Sequence, residues 1–210
     1  MKFRKKVQLG FTLIELMVSI AIFAVITGLV MVGQSRFGVN LLVTNLAYDV
    51  ALGIRQAQVY GVSVRAASQV CHVTSGTGTI FDCRYGIHFA NSGYFVLFAD
   101  IDVNGFYNTA ADNGVSCITP VGSAPECLTV FKVTQGNSIS QFCAGTTDCS
   151  NTDITDMDIL FKRPDPEPTV QAYNGALGYG PDSNASITVT SSQNVSKTVV
   201  VSPSGQVSVQ

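Results

Sequence analysis

From Phe11 to Gly33 the chain is apolar almost without a break, and Glu15 is the one charged residue in that run. A helix needs roughly 20 such residues to cross the hydrocarbon core of a bilayer, so the run predicts a membrane-spanning helix. From Gln34 to Tyr60 the pattern changes. Leu42, Leu46, Val50, Ile54 and Ala57 recur at helical spacing, while Asn45, Asp49, Arg55 and Gln58 fall off that stripe. This predicts that the helix continues with one face laid on a globular body. Gly28, Gly33 and Gly38 each cost about 1 kcal/mol relative to Ala inside a helix, so bending or local melting is expected there. Gly61 is the expected C-cap.

Beyond Gly61 the pattern has the period of strands. Runs at Val62 to Val73, Ile80 to Phe89, Tyr94 to Ala99, Leu128 to Val133, Ile154 to Lys162, Ser186 to Ser191, Thr198 to Ser202 and Gly205 to Val209 are separated by Gly, Asn, Ser and Pro clusters. The last two form a predicted hairpin around Pro203-Ser204-Gly205. No second helix is expected. The fold class is therefore α+β, a long N-terminal helix packed on a β-rich, mostly antiparallel C-terminal head. The expected segments are 1–10, 11–33, 34–61 and 62–210.

Charge adds direction. Lys2, Arg4, Lys5 and Lys6 precede the apolar run, and basic residues at that position hold the N-terminus in the cytoplasm. A secretory signal peptide places its cleavage site after the apolar stretch, whereas the glycine-ended segment Met1 to Gly10 lies before it. The hydrophobic helix is thus expected to stay with the mature protein. Without those ten residues, 4 of the 12 basic residues go, leaving 8 against 14 acidic ones and a net charge of −6. An acidic body argues against a broad phosphate-binding surface.

A carboxylate inside a spanning helix costs about 2.5–3.5 kcal/mol on insertion scales, so Glu15 needs a purpose. The run Gly10-Phe11-Thr12-Leu13-Ile14-Glu15-Leu16-Met17 resembles the prepilin signature of type IV pilins and type II secretion pseudopilins, over about the first 35 residues. The resemblance implies a structural subunit. A membrane prepilin peptidase cuts after Gly10 and methylates the new N-terminal Phe11. Glu15 then pairs with the N-terminal amine of a neighbouring subunit and sets its register. The implied partners are other pilins or pseudopilins and an inner-membrane assembly platform. The implied location is the inner membrane, single-pass with a cytoplasmic N-terminus, and then a periplasmic or cell-surface filament.

The helix pattern Asn45-Leu46-Ala47-Tyr48-Asp49 through Ala57 and Gly61, the Phe98-Ala99-Asp100 to Asp112 loop, the Phe161 to Gly178 stretch and the closing Ser-Pro-Ser-Gly-x-Val resemble the GspH/FimT family of minor pseudopilins and minor pilins. Some relatives in that family capture DNA through basic C-terminal residues. Here Ser183 to Gln210 offers only Lys197, and Lys162-Arg163 is the sole adjacent basic pair outside the leader. Nucleic acid is not the expected partner. A tip adhesin remains a third reading with no motif to carry it.

Asp100-Ile101-Asp102-Val103-Asn104-Gly105-Phe106 carries alternating oxygen-bearing side chains and a glycine at the sixth place, as calcium loops do. Asp100, Asp102, Asn104, the Phe106 carbonyl, and Asn108 or Asp112 are the candidate ligands. The twelfth place is Ala111 where an EF-hand carries Glu. The alternative is a polar turn whose aspartates face water. No cofactor is required, and calcium is the one candidate.

All six cysteines lie between Cys71 and Cys149, which suits disulfides in an oxidising compartment. Cys71 and Cys83 flank a Ser-Gly-Thr-Gly turn symmetrically, and sequential pairing adds Cys117–Cys127 and Cys143–Cys149, with other connectivities left open. His72 and His88 stand in no ligand spacing, and His88 reads as a strand residue. No nucleophile elbow, phosphate loop or zinc-protease motif is present, so an enzyme is not expected.

Overall fold

The computed structural model describes residues 10–67, 70–71, 78–90, 93–108, 117, 126–134, 136–145, 154–174 and 177–210. Among the described residues one helix, α1 (Leu13–Val62, 50 residues), leads ten strands. The chain divides into two units, Met1–Asn40 and Leu41–Gln210. Helix α1 starts where Thr12 and Glu15 cap each other. The Thr12 hydroxyl accepts the Glu15 N–H at 3.3 Å, while the Glu15 carboxylate accepts the Thr12 N–H at 3.1 Å and its hydroxyl at 2.9 Å. This is a capping box, which satisfies donors that a bare helix end leaves open.

The helix runs unbroken through Gly28, Gly33 and Gly38, where bending or local melting was expected, so the helix does not melt there. Opening the helix there would require a second nucleation, which costs more than one glycine at about 1 kcal/mol. Gly61 is not a C-cap either. It lies inside the last turn, with the helix continuing to Val62. Tertiary contact is the reason: a Cβ at residue 61 would stand 2.5 Å from the Phe161 carbonyl oxygen. Only a glycine lets the helix end approach the strand that closely.

In the second unit, a six-stranded antiparallel sheet has the order β3-β2-β1-β5-β6-β7. Its strands are β1 (Arg84–Ala90), β2 (Tyr94–Asp100), β3 (Cys127–Lys132), β5 (Asp156–Lys162), β6 (Asp165–Asn174) and β7 (Leu177–Asp182). The four-stranded sheet β10-β9-β8-β4 contains β4 (Ser138–Ala144), β8 (Ala185–Thr190), β9 (Ser196–Val201) and β10 (Val207–Val209). Val43, Ala47, Val50, Ile54 and Ala57 of the helix share one core with Ile87, Phe89, Leu97, Ile159 and Phe161 of the larger sheet and Ile187, Val189, Val199 and Val201 of the smaller. Strand alternation explains the sorting. Ile87 sits between Leu97 and Ile159 on the helix side, and its neighbour His88 sits between Val96 and Asp158 on the other.

The closing hairpin forms as read, with Val207 paired to Val201 and Gly205 taking φ +77° in the turn. Among the described residues of the expected strand from Val62 to Val73, no strand forms. Val62 belongs to the helix, Ser63 to Ala67 carry no strand, and 68–69 and 72–77 lie outside the described residues. Val62 and Val64 are exposed, so their alternation has no apolar face to serve. Strands β4, β6 and β7 were not expected. Pro166 and Pro168 lie in β6 where β7, which pairs only from Val170 onward, leaves the strand unpaired on that side.

Cys71–Cys83 and Cys117–Cys127 are disulfides. Cys143 is buried and disulfide-bonded, and its expected partner Cys149 lies outside the described residues.

Candidate functional site

The first unit holds the most apolar part of the helix. Leu13–Met31 is the one stretch among the described residues that is long and apolar enough to cross a membrane, with mean hydropathy 2.5 and none of it buried within the chain. Glu15 stands in its first turn. Its carboxylate is held by Thr12. Gly10 is exposed, and a Cβ there would meet no atom within 4 Å. Among the described residues, nothing packs closely enough to demand a glycine at position 10.

In the second unit, the face of the helix opposite the core is also apolar in places. Leu41, Tyr48, Leu52 and Val59 are 51%, 55%, 63% and 61% exposed. Their spacings of seven, four and seven residues align them in one stripe. The signal was present in the sequence, but the stronger buried stripe drew the reading. Leu42, expected in the core, sits half-buried at its edge, and Val43 takes its place.

The loop after β2 brings Asp100, Asp102, Asn104 and Asn108 together, and adds Glu126, which has no telling position in the sequence. Carboxylate oxygens of Asp100, Asp102 and Glu126 lie within 4.8 Å of one another. Asp100 and Glu126 are fully buried, whereas Asp102 is exposed. The oxygens are already occupied by donors. Asp100 Oδ1 accepts the Asn104 N–H at 3.1 Å, and Oδ2 accepts the Gly105 N–H at 3.1 Å and meets Arg84 Nη2 at 3.0 Å. Glu126 accepts the backbone N–H groups of Ile101 at 3.1 Å and Asn108 at 2.8 Å. Asp102 Oδ2 accepts both the Asn104 and Asn108 side-chain amides, at 2.8 and 3.0 Å. The Phe106 N–H donates to Asn104 Oδ1, and Asp112 lies outside the described residues.

Three carboxylates against one guanidinium leave an excess of negative charge. Burial pushes Asp100 up to about 6 and Glu126 up to about 7, outweighing the Arg84 guanidinium and the backbone donors. A carboxyl raised in the folded state binds its proton more tightly folded than unfolded. Its stabilising effect is therefore present in acid and is lost as pH rises through 6 to 7. The melting temperature of the head is expected to fall between about pH 4 and about pH 7, and calorimetry across that range checks it. The same scan with millimolar calcium tests the loop as a cation site. Bound calcium would raise the melting temperature most at high pH, and Asp102→Ala would remove that rise.

Of the basic pair, Arg163 is turned onto its own head, 2.8 Å from the Phe81 carbonyl and 3.7 Å from Asp82. Lys162 is exposed.

Residues 5–31 match the family model of the prokaryotic N-terminal methylation motif. The chain thus carries a prepilin-type N-terminus, and the motif indicates a type IV pilin-like protein. No match was found among curated proteins or among solved structures.

Proposed function

We propose that this protein is a filament subunit, a minor pilin or pseudopilin of the GspH/FimT kind, built into a type IV pilus or a type II secretion pseudopilus. Prepilin peptidase cuts after Gly10 and the new Phe11 is methylated. An inner-membrane platform then feeds the helix into the filament beside other pilins. The observation that carries the reading is a methylation motif over residues 5–31 with Glu15 as the only charge in the apolar run from Phe11 to Gly33 that it largely contains. The exposed stripe from Leu41 to Val59 supports it, since a neighbouring apolar helix would cover those side chains. The reading needs no cofactor. Arg163 bound to its own head and a net acidic mature chain speak against DNA capture.

Intact-mass and N-terminal analysis of protein from the membrane is the test. The expected product is ten residues shorter than the 210-residue chain and begins with N-methylated Phe11. Gly10→Val should block cleavage without disturbing the fold, because position 10 faces open space. Normal maturation of that variant would sink the proposal.

A further inference from the structure

Between Lys6 and Arg36 the chain carries one charged side chain, Glu15. Glu15 Oε2 accepts both the N–H and the hydroxyl of Thr12, at 3.1 and 2.9 Å, while Oε1 takes no hydrogen bond among the described residues. The carboxylate is thus turned back on the start of the helix, against the Phe11–Thr12 peptide. Successive backbone nitrogens lie about 3–3.6 Å apart, so the Phe11 nitrogen is the next one up the chain from the nitrogen that Glu15 already holds. Phe11 precedes the first helical residue, Leu13, and is 84% exposed, which leaves rotation about its own backbone open.

We propose that, once the leader is cut, the Phe11 ammonium pairs with Glu15 of its own chain while the subunit waits in the membrane, and that assembly exchanges this internal partner for a neighbour's amine. The proposal rests on the filament reading, because cleavage after Gly10 is what turns a neutral amide nitrogen into a cation. A carboxylate in an apolar span needs a counter-charge. A lone subunit has no neighbour to supply one, and from residue 11 to residue 35 the new amine is the only cation in the chain. Oε1 is open to receive it while Oε2 keeps the cap. Thr12 is then a positioning residue, since its N–H and hydroxyl aim the carboxylate at the chain's own start. The exchange keeps one partner for every charge, so joining a filament strands neither group and packing of the apolar helices is left to drive assembly.

The test is solid-state NMR of the full processed chain, isotope-labelled at the Phe nitrogens and the Glu carboxyl carbons. In monomers diluted into lipid vesicles, chains carrying both labels should place the Phe11 nitrogen within about 4 Å of the Glu15 carboxyl group. A mixture of singly labelled chains should give no such coupling in vesicles and should give it in assembled filaments. Thr12→Val should shift the balance from the close to the open arrangement about fivefold, and Thr12→Ser should restore it, because serine retains the hydroxyl. Mass analysis of the same sample separates the two failures. A chain that still begins at Met1 defeats the filament reading and this proposal with it. A processed monomer without coupling inside one chain, or with coupling only between differently labelled chains, overturns the internal pair alone. A coupling that Thr12→Val leaves unchanged refutes the positioning role of Thr12.

Discussion

Replacing Glu15 with Leu is expected to improve membrane insertion and to abolish incorporation into filaments. Insertion gains because a carboxylate within the apolar span is costly, though less at its end, where Glu15 stands, than the about 2.5–3.5 kcal/mol of the helix centre. Assembly loses because the N-terminal amine of a processed neighbour would be buried without its counter-charge, a penalty of about 3–5 kcal/mol and so a drop of more than about a hundredfold in incorporation. The structure adds a complication, since Glu15 also closes the helix start with Thr12. Glu15→Gln separates the two roles. Glutamine retains the reciprocal hydrogen bonds of a capping box but carries no charge. Cross-linking to partner pilins, after confirming cleavage, should show both variants excluded. Incorporation of Glu15→Gln at the wild-type level would reduce Glu15 to a cap.

Gly61→Ala is expected to lower the melting temperature of the head by several degrees. The new methyl would lie 2.5 Å from the Phe161 carbonyl oxygen and 2.6 Å from its Cβ, and backbone cannot step aside as a flexible side chain can. Such overpacking costs about 1–3 kcal/mol, and a gain of about 1 kcal/mol in helix propensity offsets only part of it. Each kcal/mol corresponds to about 2–4 °C in a domain of this size. Gly38→Ala is the matched control. No atom lies within 4 Å of its would-be Cβ, so it should keep the propensity gain without a clash. Thermal unfolding of the two variants side by side checks this, and a Gly61→Ala head as stable as wild type would refute the close approach.

The two glycines show where pattern reading stops. Both look alike in a window of sequence, and the same rule of thumb assigns a cost or a cap to each. What separates them is a strand about 100 residues away in sequence that presses on one and not the other. Loop residues divide the same way. Asp100, Asp102 and Asn104 were legible because their spacing of two is local chemistry. Glu126 and Arg84 were not, since chain folding alone places them against those carboxylates. Thr12 was readable, as Thr-x-x-Glu ahead of an apolar run is a capping box, but the interest of Glu15 in assembly hid its local role.

The sequence by itself determined the class of the N-terminus, the length of the apolar helix, the oxidising character of the head and the closing hairpin. Each follows from residues close together in the chain, where hydrophobic period, charge order and turn chemistry act directly. Tertiary structure alone decided that the helix end needs Gly61, that the proline-bearing β6 is a strand, and that His88 of β1 meets Asp158 of β5. Those outcomes depend on which distant backbone comes to lie alongside, and burial then gives ordinary side chains a charge or a clash that no local pattern encodes.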